Sequence, residues 1–325
     1  MRDHGGNIDA AIACHGGTDW IDLSTGINRR PYPVPALPES VWHGLPTRQA
    51  QNTLVSVAAQ AWGADPNLAG LALGGAQAAI QLLPHVLHAK TGRACVLAPS
   101  YNEHAACLRA AGWNVCDSPC PKEMAGADLA VLVNPNNPDG RCWPRDTLLA
   151  LAQQVGFLVV DESFADVTPR LSLLPCGSGA SNLLILRSFG KFYGLAGLRL
   201  GFAFGARPVI ARLADMAGPW PVSGGAIAVG GRALADVQWA RAMRAQLSKD
   251  ALRADGLARK AGWTCLGGTD LFRLYHTDSA TDARDHLAKY QIWSRIFPYS
   301  RHWLRLGLPG PETEWDRLEH ALTSA

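Results

Sequence analysis

Short, almost unbroken apolar runs alternate with helical periodicity through the first two thirds of the chain. Leu71–Leu73, Ala94–Ala98, Leu129–Val133, Phe157–Val160, Leu183–Leu186 and Leu198–Phe204 read as strands. Most lack polar alternation, which predicts a sheet covered on both faces. Helical patterns fall between them at about 76–90, 101–112, 145–156 and 207–217. That rhythm predicts an α/β fold with a mostly parallel sheet and right-handed crossovers. After Pro219-Trp220-Pro221 the pattern changes to a long Ala/Arg-rich helical stretch, roughly 225–260, then short strands near Leu271–Tyr275 and Trp303–Leu308. This predicts a smaller α+β unit. The first 30 residues read as an arm leading into the alternating prolines of Arg30–Pro38, which favour an extended segment. The expected division is therefore an arm over 1–40 that joins the small domain, a large domain over 41–221 and a small domain over 222–325.

Composition narrows the function without choosing it. The 325 residues carry 30 Lys plus Arg against 27 Asp plus Glu, a net charge of +3, with no dense basic run. A nucleic-acid surface is not expected from that balance. Apolar residues make up 48%, enough for a large core, and no run approaches the ~18 apolar residues of a membrane span. The polar opening, His4-Gly5-Gly6-Asn7, does not read as a secretory signal, so a cytoplasmic protein is expected. Eight scattered cysteines include no Cys-x-x-Cys pair; buried, reduced thiols are expected rather than a metal site or a disulfide framework.

Four segments carry candidate chemistry. In Arg187-Ser188-Phe189-Gly190-Lys191-Phe192-Tyr193-Gly194-Leu195-Ala196-Gly197-Leu198-Arg199, a lysine follows a strand inside a glycine- and aromatic-rich turn. Burial there would depress its pKa and make it a candidate Schiff-base nucleophile, with Ser188 and Arg199 able to reach a nearby phosphate. Taken alone, Lys191 and Arg199 read equally well as solvated charges at a sheet end. Asn134-Pro135-Asn136-Asn137-Pro138-Asp139-Gly140 ends a strand with an extended turn, at the edge where α/β sheets bind ligands. Asp161 ends the strand Phe157–Val160, where a carboxylate is costly without a cationic partner. Gly74-Gly75-Ala76-Gln77 joins a strand to a helix start, whose free amides suit a phosphate. Each of these three also has an ordinary reading as a turn, a cap or a surface charge.

In this order, Gly-Gly-Ala-Gln, Asn137, Asp161, Ser188-x-x-Lys191 and Arg199 resemble the fold-type-I pyridoxal-phosphate aminotransferase superfamily from about residue 20 to 310. The resemblance implies a large three-layer domain and a smaller one, with pyridoxal 5'-phosphate as cofactor. It implies that Lys191 holds the cofactor covalently, and that Asp161 pairs with the ring nitrogen and makes the ring an electron sink. Asn137 would bind the phenolic oxygen and Tyr101 would stack on the ring. Ser188, Arg199 and the backbone of Gly75, Ala76 and Gln77 would hold the phosphate. Arg305, in Trp303-Leu304-Arg305-Leu306-Gly307, matches the arginine that grips the substrate α-carboxylate. A homodimer is implied as well.

The amino terminus narrows the resemblance. His4-Gly5-Gly6-Asn7 followed by Leu23-Ser24-Thr25-Gly26-Ile27-Asn28 is similar to the threonine-phosphate decarboxylases of cobalamin biosynthesis, relatives of histidinol-phosphate aminotransferases. This implies a substrate site holding His4, Gly5, Asn28, Asn137, Arg295 and Arg305, with the arm's histidine near the substrate phosphate. It also implies that L-threonine O-3-phosphate loses CO2 to give (R)-1-aminopropan-2-yl phosphate. Two departures stand out: Leu45-Pro46 replaces a frequent Tyr-Pro step, and Phe164 stands where many aminotransferases place a tyrosine. The alternatives are an aminotransferase acting on histidinol phosphate or another amino acid, which uses the same cofactor motifs, and a non-enzymatic binding or regulatory domain on the same fold.

Overall fold

The computed structural model describes residues 4–87 and 92–324. Its main sheet has seven strands in the order Ala69–Leu73, Gly201–Gly205, Leu183–Ser188, Phe157–Asp161, Leu129–Val133, Arg93–Leu97, Asn114–Ser118. All pairings are parallel except those of Gly201–Gly205, which runs antiparallel to both its neighbours. The central strands Leu129–Val133 and Phe157–Asp161 are almost wholly buried, as unbroken apolar sequence between two helical layers requires. Helices Ala76–Val86, Asn102–Ala110, Arg145–Ala152 and Arg207–Ala217 match the predicted stretches; the predicted end of the first, at 88–90, lies outside the described residues.

Four local expectations need correction. The strand expected from Leu198 begins at Gly201, because Ala196–Leu198 is a short 3-10 turn and Arg199 takes a left-handed conformation. The helical stretch at 225–260 is two helices, Gly224–Ala235 and Val237–Lys260, divided at Asp236, whose side chain accepts from Trp239 N and caps the second. Both X-Pro bonds of the asparagine turn, Asn134-Pro135 and Asn137-Pro138, are cis. Of the eight thiols only Cys95 is fully buried, and Cys14, Cys142 and Cys265 are exposed, because Cys14 lies on the arm helix, Cys142 in a loop and Cys265 on the edge strand of the second sheet.

The arm contains the helix Ile8–His15 and a two-residue strand, Ile21–Asp22, paired in parallel with Ile292–Trp293. The second, antiparallel sheet runs Arg295–Phe297, Ser300–Gly307, Phe272–His276, Thr264–Thr269. Helix Gly224–Ala235 lies against the helix Arg48–Ala61, where Gly230 faces Leu54 and Leu200. No helix among the described residues is long and apolar enough to cross a membrane.

One charged cluster sits inside the apolar layers. Arg187 donates to Glu162 at 3.3 Å and pairs with Asp166 at 2.7 Å, while its guanidinium lies 4.4 Å over the Trp62 ring. Burial pushes the Glu162 carboxyl up, although Arg187, Ser172 and Leu173 N oppose it. Removing the cation strands two buried acids, so Arg187→Ala should cost about 3–5 kcal/mol. Urea unfolding measures this directly; a loss below about 1 kcal/mol would show that the acids are not held as ions.

Candidate active site

The candidate residues converge because most of them follow the carboxyl ends of strands that run the same way through the main sheet, where α/β sheets open a ligand crevice. Gly75 and Ala76 follow Ala69–Leu73, Tyr101 follows Arg93–Leu97, and Asn137 follows Leu129–Val133. Asp161 ends its strand, and Lys191 lies one turn beyond Ser188. The antiparallel strand brings Arg199 to the same edge at its start. All of these residues line one cavity, together with Gln77, Ser163, Phe164 and Ser188.

The two ends of that cavity differ in charge. At one end, helix Ala76–Val86 opens on Gly75 without a side-chain cap, so its first amides face the cavity near Ser188 and Arg199. Gly75 has φ +88°, and a Cβ there would approach Arg199 Nη2 to 2.8 Å. Only glycine leaves that space open. At the other end Asp161 is 3% exposed. Burial pushes its carboxyl up, but hydrogen bonds with His104 (2.9 Å) and Ser163 Oγ (2.5 Å) outweigh this and hold it below the usual range. Asp161 is thus a fixed anion deep in the site.

Lys191 lines the same cavity. Burial of its amine, reinforced by Arg305 and Arg199 and opposed by Asp161, lowers its pKa to about 8. The fraction of reactive neutral amine should therefore rise about tenfold per pH unit below 8 and level off above it. The rate of modification of the unliganded protein by an acylating reagent, followed by peptide mapping, checks this. A rate at Lys191 still climbing at pH 10 would contradict it, since an ordinary lysine behaves that way.

A second, outer cavity adjoins the first and shares Tyr101, Asn137, Phe164 and Lys191 with it. His4, Gly5, Arg295 and Arg305 also line it. The two arginines face each other across adjacent strands, Arg295 opposite Arg305. Burial and the charge of Arg295 lower the Arg305 pKa to about 10. Arg305 donates to Asn137 Oδ1 and to the Ser24 carbonyl, and its Nε has no partner among the described residues. Two close cations beside a cavity favour an anionic ligand. Gly5 lets the arm approach this wall, because a Cβ would meet the Ser24 carbonyl at 2.3 Å.

Asn28 is the one candidate that lines neither cavity. Its side chain donates to the Phe192 carbonyl and accepts from Arg30 N, and its amide donates to the Lys191 carbonyl. It braces the turn that carries the amine. Three residues that matter escaped the sequence reading: His104, Ser163 and Glu103. His104 lies one helical turn after Tyr101 and Ser163 two residues after Asp161, so spacing from those two residues could have flagged them.

The chain belongs to the aminotransferase class I and II family, which matches it over residues 18–322. It is similar to a threonine-phosphate decarboxylase from Sinorhizobium sp, at 41% identity over 97% of this chain and 95% of that protein. It is equally similar to one from Pseudomonas aeruginosa, at 41% over 99% and 97% of the two chains. Its fold matches the crystal structure of a histidinol-phosphate aminotransferase from Sinorhizobium meliloti in complex with pyridoxal-5'-phosphate, with a TM-score of 0.84 at 20% identity, covering 100% of this chain and 95% of that one.

Proposed function

We infer that this chain is a pyridoxal-phosphate-dependent threonine-phosphate decarboxylase, converting L-threonine O-3-phosphate to (R)-1-aminopropan-2-yl phosphate and CO2. The observation that carries this reading is 41% identity to two such enzymes over nearly the full length of all three chains. The fold match to an aminotransferase is at 20% identity and speaks for architecture alone.

The cavity suits pyridoxal phosphate on the chemistry of its donors. An uncapped helix start, a serine and an arginine gather at one end, a fixed carboxylate stands at the other, and a lysine of lowered pKa lines the same cavity. When bound, the cofactor supplies an electron sink for a bond broken at the substrate Cα. Ser188, Arg199 and the amides of Ala76 and Gln77 would hold its phosphate, with Tyr101 against the ring and Asn137 at the phenolic oxygen. Asp161, kept ionised by His104 and Ser163, would hold a proton on the ring nitrogen. Lys191 would bind the aldehyde carbon and, once freed, could deliver the proton that replaces the lost carboxylate.

In the outer cavity Arg305 would grip the substrate carboxylate, while His4 and Arg295 would hold the phosphate. Binding energy at the remote phosphate then orients the bond to be broken. The test is incubation of the loaded enzyme with O-phospho-L-threonine in the absence of any oxoacid. Stoichiometric CO2 and aminopropanol phosphate are expected. Amino transfer that needs an oxoacid and releases no CO2 would instead make the chain a histidinol-phosphate-type aminotransferase.

A cytoplasmic homodimer acting in cobalamin biosynthesis completes the proposal. Trp42, Leu45 and Trp220 are 64%, 67% and 55% exposed. Trp42 lies against Gly225, and Pro46, next to Leu45 in the chain, shares a cleft with Trp220. Large apolar side chains so exposed support a covered face.

A further inference from the structure

Glu103 lies in the first turn of the helix that follows Tyr101, and it is 7% exposed. A carboxylate so buried requires partners. Two of its partners come from opposite sides of the site. Oε1 meets His4 Nε2 of the arm at 2.9 Å, and Oε2 accepts from Gln77 Nε2 at 3.2 Å. Gln77 Oε1 in turn accepts from the Tyr101 hydroxyl at 3.1 Å, and the His4 and Tyr101 ring centroids are 5.9 Å apart. The line His4–Glu103–Gln77–Tyr101 therefore ties the arm to the wall shared by the inner and outer cavities.

Among the described residues, the arm's backbone is also held beside His4. Gly6 N donates to Ser24 Oγ at 2.7 Å, and Gly5 packs on the Ser24 carbonyl. Those contacts place the chain but do not orient an imidazole whose side chain is 40% exposed. Glu103 engages Nε2, which leaves Nδ1 as the ring nitrogen for a ligand in the outer cavity. We propose that Glu103 is the positioning residue that holds His4 over the outer cavity and so sets the affinity for the phosphate-bearing end of the substrate. This rests on the functional reading above for the identity of the substrate, but not for the contact itself.

A double-mutant cycle on the loaded enzyme tests it. His4→Ala and Glu103→Ala should each raise KM for O-phospho-L-threonine about tenfold, with a smaller effect on kcat. The double variant should stand well below a hundredfold, because both substitutions remove the His4–Glu103 contact that they share. Glu103→Gln, which keeps the shape and one acceptor oxygen, should recover part of the loss and serves where the alanine variant fails to fold. A double variant near a hundredfold, the product of independent effects, would overturn the proposal. Amide hydrogen exchange over residues 4–16 gives a readout free of turnover. Exchange there should quicken in either Glu103 variant while the central strands keep wild-type rates; unchanged exchange in the arm would also overturn it. Should wild-type enzyme leave O-phospho-L-threonine untouched, the functional reading fails and the exchange result alone decides the role of Glu103.

Discussion

Lys191→Ala is expected to give a folded protein that still binds pyridoxal phosphate but turns substrate over at least about 10⁴-fold more slowly. The argument is one of position and charge. The amine shares one cavity with Ser188, Arg199 and the ionised Asp161, and burial with two neighbouring arginines brings its pKa to about 8. At pH 7 about a tenth of this group is neutral and nucleophilic, whereas an ordinary lysine is almost wholly protonated. Ser188, Arg199 and the amides of Ala76 and Gln77, which would hold the phosphate, are left in place by the substitution. Cofactor binding should therefore survive the substitution with its phosphate contacts intact, and equilibrium dialysis against pyridoxal phosphate measures that separately from turnover. A variant retaining a tenth of the wild-type kcat would remove Lys191 from the chemistry.

Asp161→Asn should lower kcat by about 10³-fold while leaving the unfolding midpoint within a few degrees of wild type. The substitution preserves shape and can keep a contact with Ser163, but it removes the negative charge that would hold a proton on the ring nitrogen. His104 and Ser163 spend their hydrogen bonds on keeping that carboxyl ionised against its own burial. An amide in its place cannot fulfil that role at any pH. The expected signature is thus a loss that raising or lowering pH does not restore, read from kcat between pH 6 and 9. A loss smaller than tenfold would mean that the electron sink does not depend on this charge.

The buried strands and the motif order were readable from sequence for a physical reason. A strand covered on both faces has to be apolar throughout, and Leu129–Val133 was therefore placed at its true limits. Asn114–Ser118 was missed because it is an edge strand, half-exposed and carrying Asn114 and Asp117. Helix Arg48–Ala61 was missed because most of its surface is polar, with only Leu54 and Ala58 fully buried. Asp236 hid the break between two helices, since an N-cap inside a helix-rich stretch looks like one more polar position.

The site divided along similar lines. Lys191, Asp161 and Arg199 stand in local patterns that a linear reading can see. His104 and Glu103 do their work through partners 57 and 99 residues away; spacing from Tyr101 brings His104 near the site, but no local pattern names the partner of either. Asn28 was read as a substrate contact because it lies in the arm's motif, yet folding turns its amide toward the Phe192 carbonyl. Residues that hold a neighbour in place are legible only once the neighbour's position is known.

The central claim is that the amine at position 191 carries the cofactor. Borohydride treatment of the wild-type holoenzyme, followed by proteolysis and mass mapping, tests it most directly. A stable pyridoxyl adduct on the peptide containing Lys191, and on no other lysine-bearing peptide, is the predicted result. An unlabelled Lys191 with the adduct elsewhere, or with none at all in an active enzyme, would contradict the account.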